Sequence, residues 1–326
     1  MRRRTAMIGA AFIPIAISTS QLALSAPDKY PKYPIRLVTA YAPGGTTDIL
    51  ARLLAPKMTK ELGVSVIVEN RAGGNTIIGT AYVAHASPDG YTLLLASNSH
   101  VILPAMMRLP YDPLADFTPI ATISSTEQVL VLNPAFPARN LSEFIAYAKA
   151  HPGELNYASS GTGNVTQLAS EMFNLATGAH ARQVNYKGTG PAIIDVIAGR
   201  VQMNFSPIIA VLPYIKQGQL RAIGVSGKKR FRELPNVPTF TESGYPSFDV
   251  RAWYGLLGPA GMPQPVVGKL AATINKILAQ PDIRAKLAQQ GSDPFISTRA
   301  GFSKQIATEL ALYKRVVKDA HIKTGG

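Results

Sequence analysis

The chain has 326 residues, room for two domains of ordinary size, and a formal charge of +14 with only 16% charged residues. It has no cysteine, which excludes disulfides, thiolate metal sites and a lipid-modified N-terminal cysteine. The cations form no stripe with interleaved aromatics, which argues against a nucleic-acid face and leaves anionic small molecules as the natural partners. The densest basic run, Lys228-Lys229-Arg230-Phe231-Arg232, reads as a solvated loop.

Residues 1–25 have the pattern of a secretory leader. Arg2, Arg3 and Arg4 open it, an apolar stretch over 6–17 follows with Pro14 inside it, and Ala23-Leu24-Ser25 supplies small residues for a cut after Ser25. Arg3-Arg4 is compatible with a twin-arginine route, although Thr5-Ala6-Met7 lacks the bulky apolar residues that normally follow. Removing the leader leaves 30 basic against 19 acidic residues, a charge of +11. No later apolar run is long enough to span a bilayer.

The remainder alternates strand and helix. A strand over 35–41 runs into Tyr41-Ala42-Pro43-Gly44-Gly45-Thr46-Thr47-Asp48, and Ile49, Leu50, Leu53, Leu54, Met58 and Leu62 predict a helix over 48–62 stopped by Gly63. The Gly-Gly turn lets backbone approach a ligand closely, and the helix start adds unpaired N–H groups and the positive end of its dipole. Together they predict an anion site made of backbone. A strand over 64–69, a helix over 76–86 and a strand over 91–96 complete the first block, with Ser97 and Asn98 after the last strand. A second block starts near Glu127 with a strand over 128–132 and a helix over 142–150 capped by Ser142. Next come a strand over 155–158, a second Gly turn, Ser159-Ser160-Gly161-Thr162-Gly163-Asn164, and a helix over 165–177. A strand over 181–186 leads to Tyr186 and Lys187, then to a helix over 191–198 with Pro191 in first position. Segments 201–205, 208–216 and 220–225 continue the alternation, residues 248–257 are extended, and helices follow over 265–279, 282–290 and 300–319.

Alternating strands and helices predict an α/β protein with parallel sheets covered by helices and ligands outside the carboxyl ends of the strands. Two Gly turns far apart predict two lobes gripping one anion, with the chain crossing between them near 124–127 and 249–253. The last helices are expected to pack back onto the first block.

Catalytic patterns are missing. No Gly-x-Ser-x-Gly elbow exists, and Gly161-Thr162-Gly163 has Thr166 where a dinucleotide fingerprint needs its third glycine. His85, His100, His151, His180 and His321 never fall at metal-ligand spacing. No cofactor and no metal are expected. Polar residues at strand ends either bind ligand or merely cap the next helix. Asp48 either binds or stabilises its helix start. Asp195 either meets a cationic ligand group or pairs locally with Lys187 or Arg200.

Five segments together resemble one known family: Tyr41–Asp48, Val68-Glu69-Asn70-Arg71, Ser87-Pro88-Asp89-Gly90-Tyr91-Thr92, Tyr186–Ala192 with Asp195, and Trp253–Gly261. They are similar to the substrate-binding proteins of tripartite tricarboxylate transporters, also called the Bug (Bordetella uptake) family. The resemblance spans essentially the whole mature chain. It implies a two-lobed periplasmic binding protein of type II, a Venus flytrap whose lobes are mainly parallel sheets flanked by helices. It places lobe 1 at 26–123 and 251–326 and lobe 2 at 124–250. In such proteins the loops corresponding to 42–47 and 159–164 hold a ligand carboxylate through backbone N–H groups and bridging waters, and the closed monomer delivers its cargo to a two-subunit inner-membrane permease. Two departures stand out. Gln167 occupies a position where many relatives have His, keeping donor and acceptor capacity but not the ability to become cationic. Pro56 is expected to kink the first helix. The competing readings are a periplasmic sensor component that presents its ligand for signalling, and an exported enzyme acting on carboxylates.

Overall fold

The computed structural model describes residues 30–246, 248, 250–289 and 291–319. The expected leader over 1–25 and the expected crossing residue Asp249 lie outside the described residues. The first block is β1 (Ile35–Thr39), α1 (Thr46–Leu62), β2 (Val66–Asn70), a 3₁₀ turn (Gly74–Thr76), α2 (Ile77–Ala84), β3 (Thr92–Ser97) and α3 (Ser99–Met106). β1 lies between β2 and β3 and is parallel to both, with Leu37 opposite Val68 on one side and Leu93 on the other. The chain therefore leaves β1 towards β2 and returns on its far side as β3, which opens a crevice at the carboxyl end of β1.

The second block repeats this plan. It contains β4 (Phe117–Leu132), α4 (Leu141–Ala150), β5 (Asn156–Ser159), α5 (Val165–Thr177), β6 (Arg182–Asn185), α6 (Thr189–Ile197), β7 (Met203–Pro207), α7 (Ile208–Lys216) and β8 (Arg221–Val225). Here β5 is the middle strand, parallel to β6 and β7. The tail adds β9 (Arg251–Pro259), α8 (Gln264–Leu278), α9 (Pro281–Gln289), β10 (Asp293–Pro294) and α10 (Arg299–Asp319).

β4 joins the halves. Residues from Phe117 to Glu127 pair antiparallel with β9, while Gln128 to Leu132 pair antiparallel with β7. The path through the sheet is β2-β1-β3-β9-β4-β7-β5-β6. β4 supplies Phe117 to one apolar core, alongside Val38, Leu94 and Leu257, and Val129 and Val131 to the other, alongside Val196, Val211 and Val225. Phe302 and Ile306 of α10 enter the first core, so the tail packs back as expected. Ion pairs Lys57–Asp282 and Lys276–Glu61, each at 2.6 Å, tie the tail to α1.

Several element boundaries differ from expectation for local reasons. β4 begins at Phe117, well before the expected strand over 128–132, and α3 and β10 were not expected at all. α1 starts at Thr46 because Gly45, in extended conformation, takes the N-cap. The helix continues through Pro56, which removes only the bond to the Arg52 carbonyl. Asn140, not Ser142, caps α4: its side chain accepts from Glu143 N at 2.9 Å, while Glu143 accepts from Arg139 N at 2.7 Å. α6 starts at Thr189, so Pro191 is third rather than first, still among the residues whose N–H has no intrahelical partner.

Gly255 of β9 lies beneath Phe302, where a Cβ would stand 2.3 Å from the ring's Cζ. Gly255→Ala is expected to destabilise the ligand-free protein by about 1–3 kcal/mol through overpacking. Thermal unfolding checks this; an unchanged Tm would mean that α10 does not rest on β9 at this point.

Candidate binding cleft

The two crevices face each other. From the first come Tyr41, Gly45, Thr46 and Thr47 beyond β1 and Ser97 at the end of β3. From the second come Ser160, Asn164, Val165 and Thr166 beyond β5, Thr189 at the start of α6 and Pro207 at the end of β7, and Tyr254 of β9 completes the lining. The cavity between them is small, about 20 Å³, room for roughly one or two waters.

Backbone meets backbone where the halves touch. Ala42 N donates to Lys187 O at 2.9 Å. A Cβ on Gly190 would lie 2.8 Å from Pro43 O, and one on Gly188, whose φ is +140°, would lie 3.3 Å from Ala42 N. Thr162 N donates to Asn75 Oδ1 at 3.1 Å. Gly163, at φ +71°, packs on Leu103, whose Cδ1 would be 2.4 Å from a Cβ. Ala42, Pro43, Gly44, Gly161, Thr162, Gly163 and Lys187 are absent from the cavity lining; most of them build this seam.

The donors facing the cavity are unevenly distributed. No side chain caps α1, α6 or α7, so their first N–H groups remain without a helical or capping acceptor. The N–H groups of residues 160–163 are engaged, by Thr166 Oγ1, Ser159 Oγ, Asn75 Oδ1 and Gln167 Oε1 in turn. Asn164 caps α5 by accepting from Thr166 N and Gln167 N, both at 3.0 Å. The N–H groups of the second Gly loop are thus taken, one of them by Asn75 of the other half, and the open helix starts of the second half are those of α6 and α7. Among the described residues, no Lys, Arg, His, Asp or Glu lines the cavity. Its polar surface is neutral: hydroxyls, an amide and helix ends.

The two phenols are held protonated. Burial pushes the Tyr41 hydroxyl above its ordinary range, only partly offset by Ser97 and Ser99. It donates to Ser99 Oγ at 2.8 Å and lies 3.1 Å from Ser97 Oγ. Burial likewise raises Tyr254, with neighbouring Thr46 offsetting part of the effect. Thr46 Oγ1 itself completes no hydrogen bond of good geometry.

The other sequence candidates brace the site from outside the lining. Asp48 accepts from Gly44 N at 3.0 Å and from Arg52 Nε at 3.0 Å, folding the Gly loop onto α1. Gln167 accepts from Gly163 N at 2.7 Å and donates to Gln183. Ser159 bonds to Asn185 at 2.8 Å, and Asn98 accepts from Trp253 N at 2.8 Å. Asp195 pairs with Arg200, not Lys187, and accepts from the Tyr186 hydroxyl at 2.6 Å. The sequence reading did not single out Val165, Thr166, Thr189, Pro207 or Tyr254 as site residues. Thr189 and Tyr254 lie inside segments that carried the family resemblance, and Val165 and Thr166 open a helix that was predicted. Pro207 has no local signal.

Two facing crevices in a two-lobed α/β fold define a periplasmic binding protein. The chain belongs to the tripartite tricarboxylate transporter receptor family, whose model matches residues 50–322. It is 36% identical to protein BugT of Bordetella pertussis over 99% of both chains. The structure of periplasmic binding protein BugD superposes with a TM-score of 0.87 at 32% identity, covering 90% of this chain and 99% of that one. MatC from Rhodopseudomonas palustris, with bound malate, superposes at 0.84 with 32% identity, covering 88% and 100%. These relatives are receptors and binding proteins rather than enzymes. No described helix is long and apolar enough to cross a membrane.

Asp48 gives the site a pH signature. Burial raises its carboxyl, but hydrogen bonds from Arg52 and Gly44 outweigh burial and hold it below the ordinary range. Its stabilising contribution is therefore complete above the unfolded value, about 3.9, and is lost as pH falls through the folded one. Asp48→Asn is expected to unfold at lower urea concentration than wild type at pH 7, with the gap narrowing below about pH 4. A gap independent of pH would remove the charge from this account.

Proposed function

We propose that this protein is an exported periplasmic receptor that captures a small carboxylate between two closing lobes and delivers it to a two-subunit inner-membrane permease. The observation that carries the reading is the convergence of the uncapped starts of α1, α6 and α7 on one cavity without an ionisable cation in its lining. Partial positive charge from helix ends holds an anion without a fixed counter-charge, which suits reversible capture. Malate in MatC supports a carboxylate as the cargo.

In this reading the lobes are 26–123 with 251–326, and 124–250. They rotate about β4 near residues 124–127 and about the start of β9. The leader over 1–25 directs export and is cleaved near Ser25. Closure follows from the ligand's higher affinity for the state in which both crevices touch it.

A thermal-shift screen of the mature protein against small carboxylates tests the reading. A ligand that binds only the folded state, at a hundred times its Kd, adds about 2.7 kcal/mol of stability. Failure of every mono-, di- and tricarboxylate to raise Tm would sink it.

Closure has its own variant. Gly190 lies at an ordinary backbone angle, so Gly190→Ala leaves the lobe intact, while the added Cβ meets Pro43 O only when the halves touch. With the ligand found in the screen, this variant is expected to bind at least tenfold more weakly in calorimetry and to show a smaller ligand-induced drop in radius of gyration. Wild-type values for both would mean that the seam seen here is not part of the bound state.

A further inference from the structure

The buried polar side-chain atoms that have no partner among the described residues are few, and most of them gather around the cleft. They are Thr46 Oγ1, Ser124 Oγ, both amide atoms of Gln128, and His100 Nδ1. Thr46 lines the cavity. Ser124 and Gln128 are both fully buried on β4. Ser124 is directly opposite Tyr254, and Gln128 is directly opposite Pro207. Tyr254 and Pro207 both line the cavity. Opposed residues in an antiparallel pair present their side chains on the same face, about 4.5–5.5 Å apart. Glu127, next to Gln128, alternates to the other face and pairs with Arg251 at 2.8 Å. Neither Ser124 nor Gln128 belongs to the lining itself; the register sets the unpartnered amide and hydroxyl beside Pro207 and Tyr254, on the same face of the strand that joins the lobes.

We propose that Gln128, assisted by Ser124, reads a hydroxyl group on the bound carboxylate, so that the ligand class is a hydroxy acid rather than a plain carboxylic acid. The proposal rests on the carboxylate reading of the cleft. A primary amide presents a donor and an acceptor side by side, and a hydroxyl is the small group that answers both. A carboxylate only accepts: it satisfies Nε2 and leaves Oε1 unpaired. The carboxylate of the ligand already has the helix starts. Leaving a buried amide unmatched is costly, and sites built around a ligand hydroxyl reject the analogue that lacks it far more strongly than apolar pockets reject a missing methylene.

The test uses pairs of acids that differ by one hydroxyl: malate and succinate, lactate and propionate, 2-hydroxyglutarate and glutarate. Calorimetry on the mature wild-type protein is expected to show at least one pair in which the hydroxy acid binds at least tenfold more tightly. Gln128→Leu, close in size but without polar atoms, is expected to abolish that preference while keeping the affinity for the plain acid within about twofold. Its ligand-free Tm is expected to equal or exceed that of wild type. Equal affinity within every pair for wild type overturns the proposal and needs no variant to fold. Loss of both members alike in Gln128→Leu also overturns it and assigns the amide to the fold. If wild type binds no member of any pair while another carboxylate raises its Tm in the screen, this inference falls and the carboxylate reading stands; if no carboxylate raises Tm, both fall.

Discussion

Two backbones can approach within hydrogen-bonding distance only where side chains do not hold them apart, and the cleft depends on that constraint. Gly188 and Gly190 on one side face Ala42 and Pro43 on the other, and the bond from Ala42 N to Lys187 O forms between main chains. The same closeness brings the starts of α1 and α6 to a single cavity. A helix end contributes partial charge only to what lies within about its first turn. Glycine at the seam is thus the condition under which the starts of α1 and α6 reach one cavity.

The site divides its labour between groups that hold and groups that are held. Asp48 accepts from Gly44 N, Gln167 accepts from Gly163 N and Asn164 donates to Gly161 O, so the loops reach the cleft already shaped. Preorganised donors need no rearrangement when an anion arrives. The one charged residue among them, Asp48, stays behind the lining, which keeps the cavity neutral. Helix ends and hydroxyls carry no fixed counter-charge.

Much of this was legible in the sequence, and the reasons are local. The Gly-Gly turn after an apolar strand, the period of α5 and the Asn164 cap are written in adjacent residues, so the two crevices could be read. The hidden parts depend on contacts distant in sequence. The first two-thirds of β4 contain Pro119 and several Ser and Thr, a weak strand pattern that becomes a strand only because β9 pairs with it along its length. Pro207 reaches the cavity because the sheet order puts β7 beside β5. Backbone donors at 160–163 looked available from their glycines; only the fold shows that Asn75 and Gln167 have taken two of them.

The order in which the elements follow one another also sets a timetable. β3 finds its neighbour β9 only after Arg251 has been made, and the core around Trp253 waits for Phe302 and Ile306. The intervening stretch from β4 to β8 contains its own strands and core and can collapse earlier. The outer edge of β3 is therefore left without its sheet partner until about three-quarters of the chain has been made. Non-local pairing of this kind is slow to form. Until then the edge of β3 that β9 will cover stays open, and its unpaired N–H and C=O groups can pair with any other exposed strand.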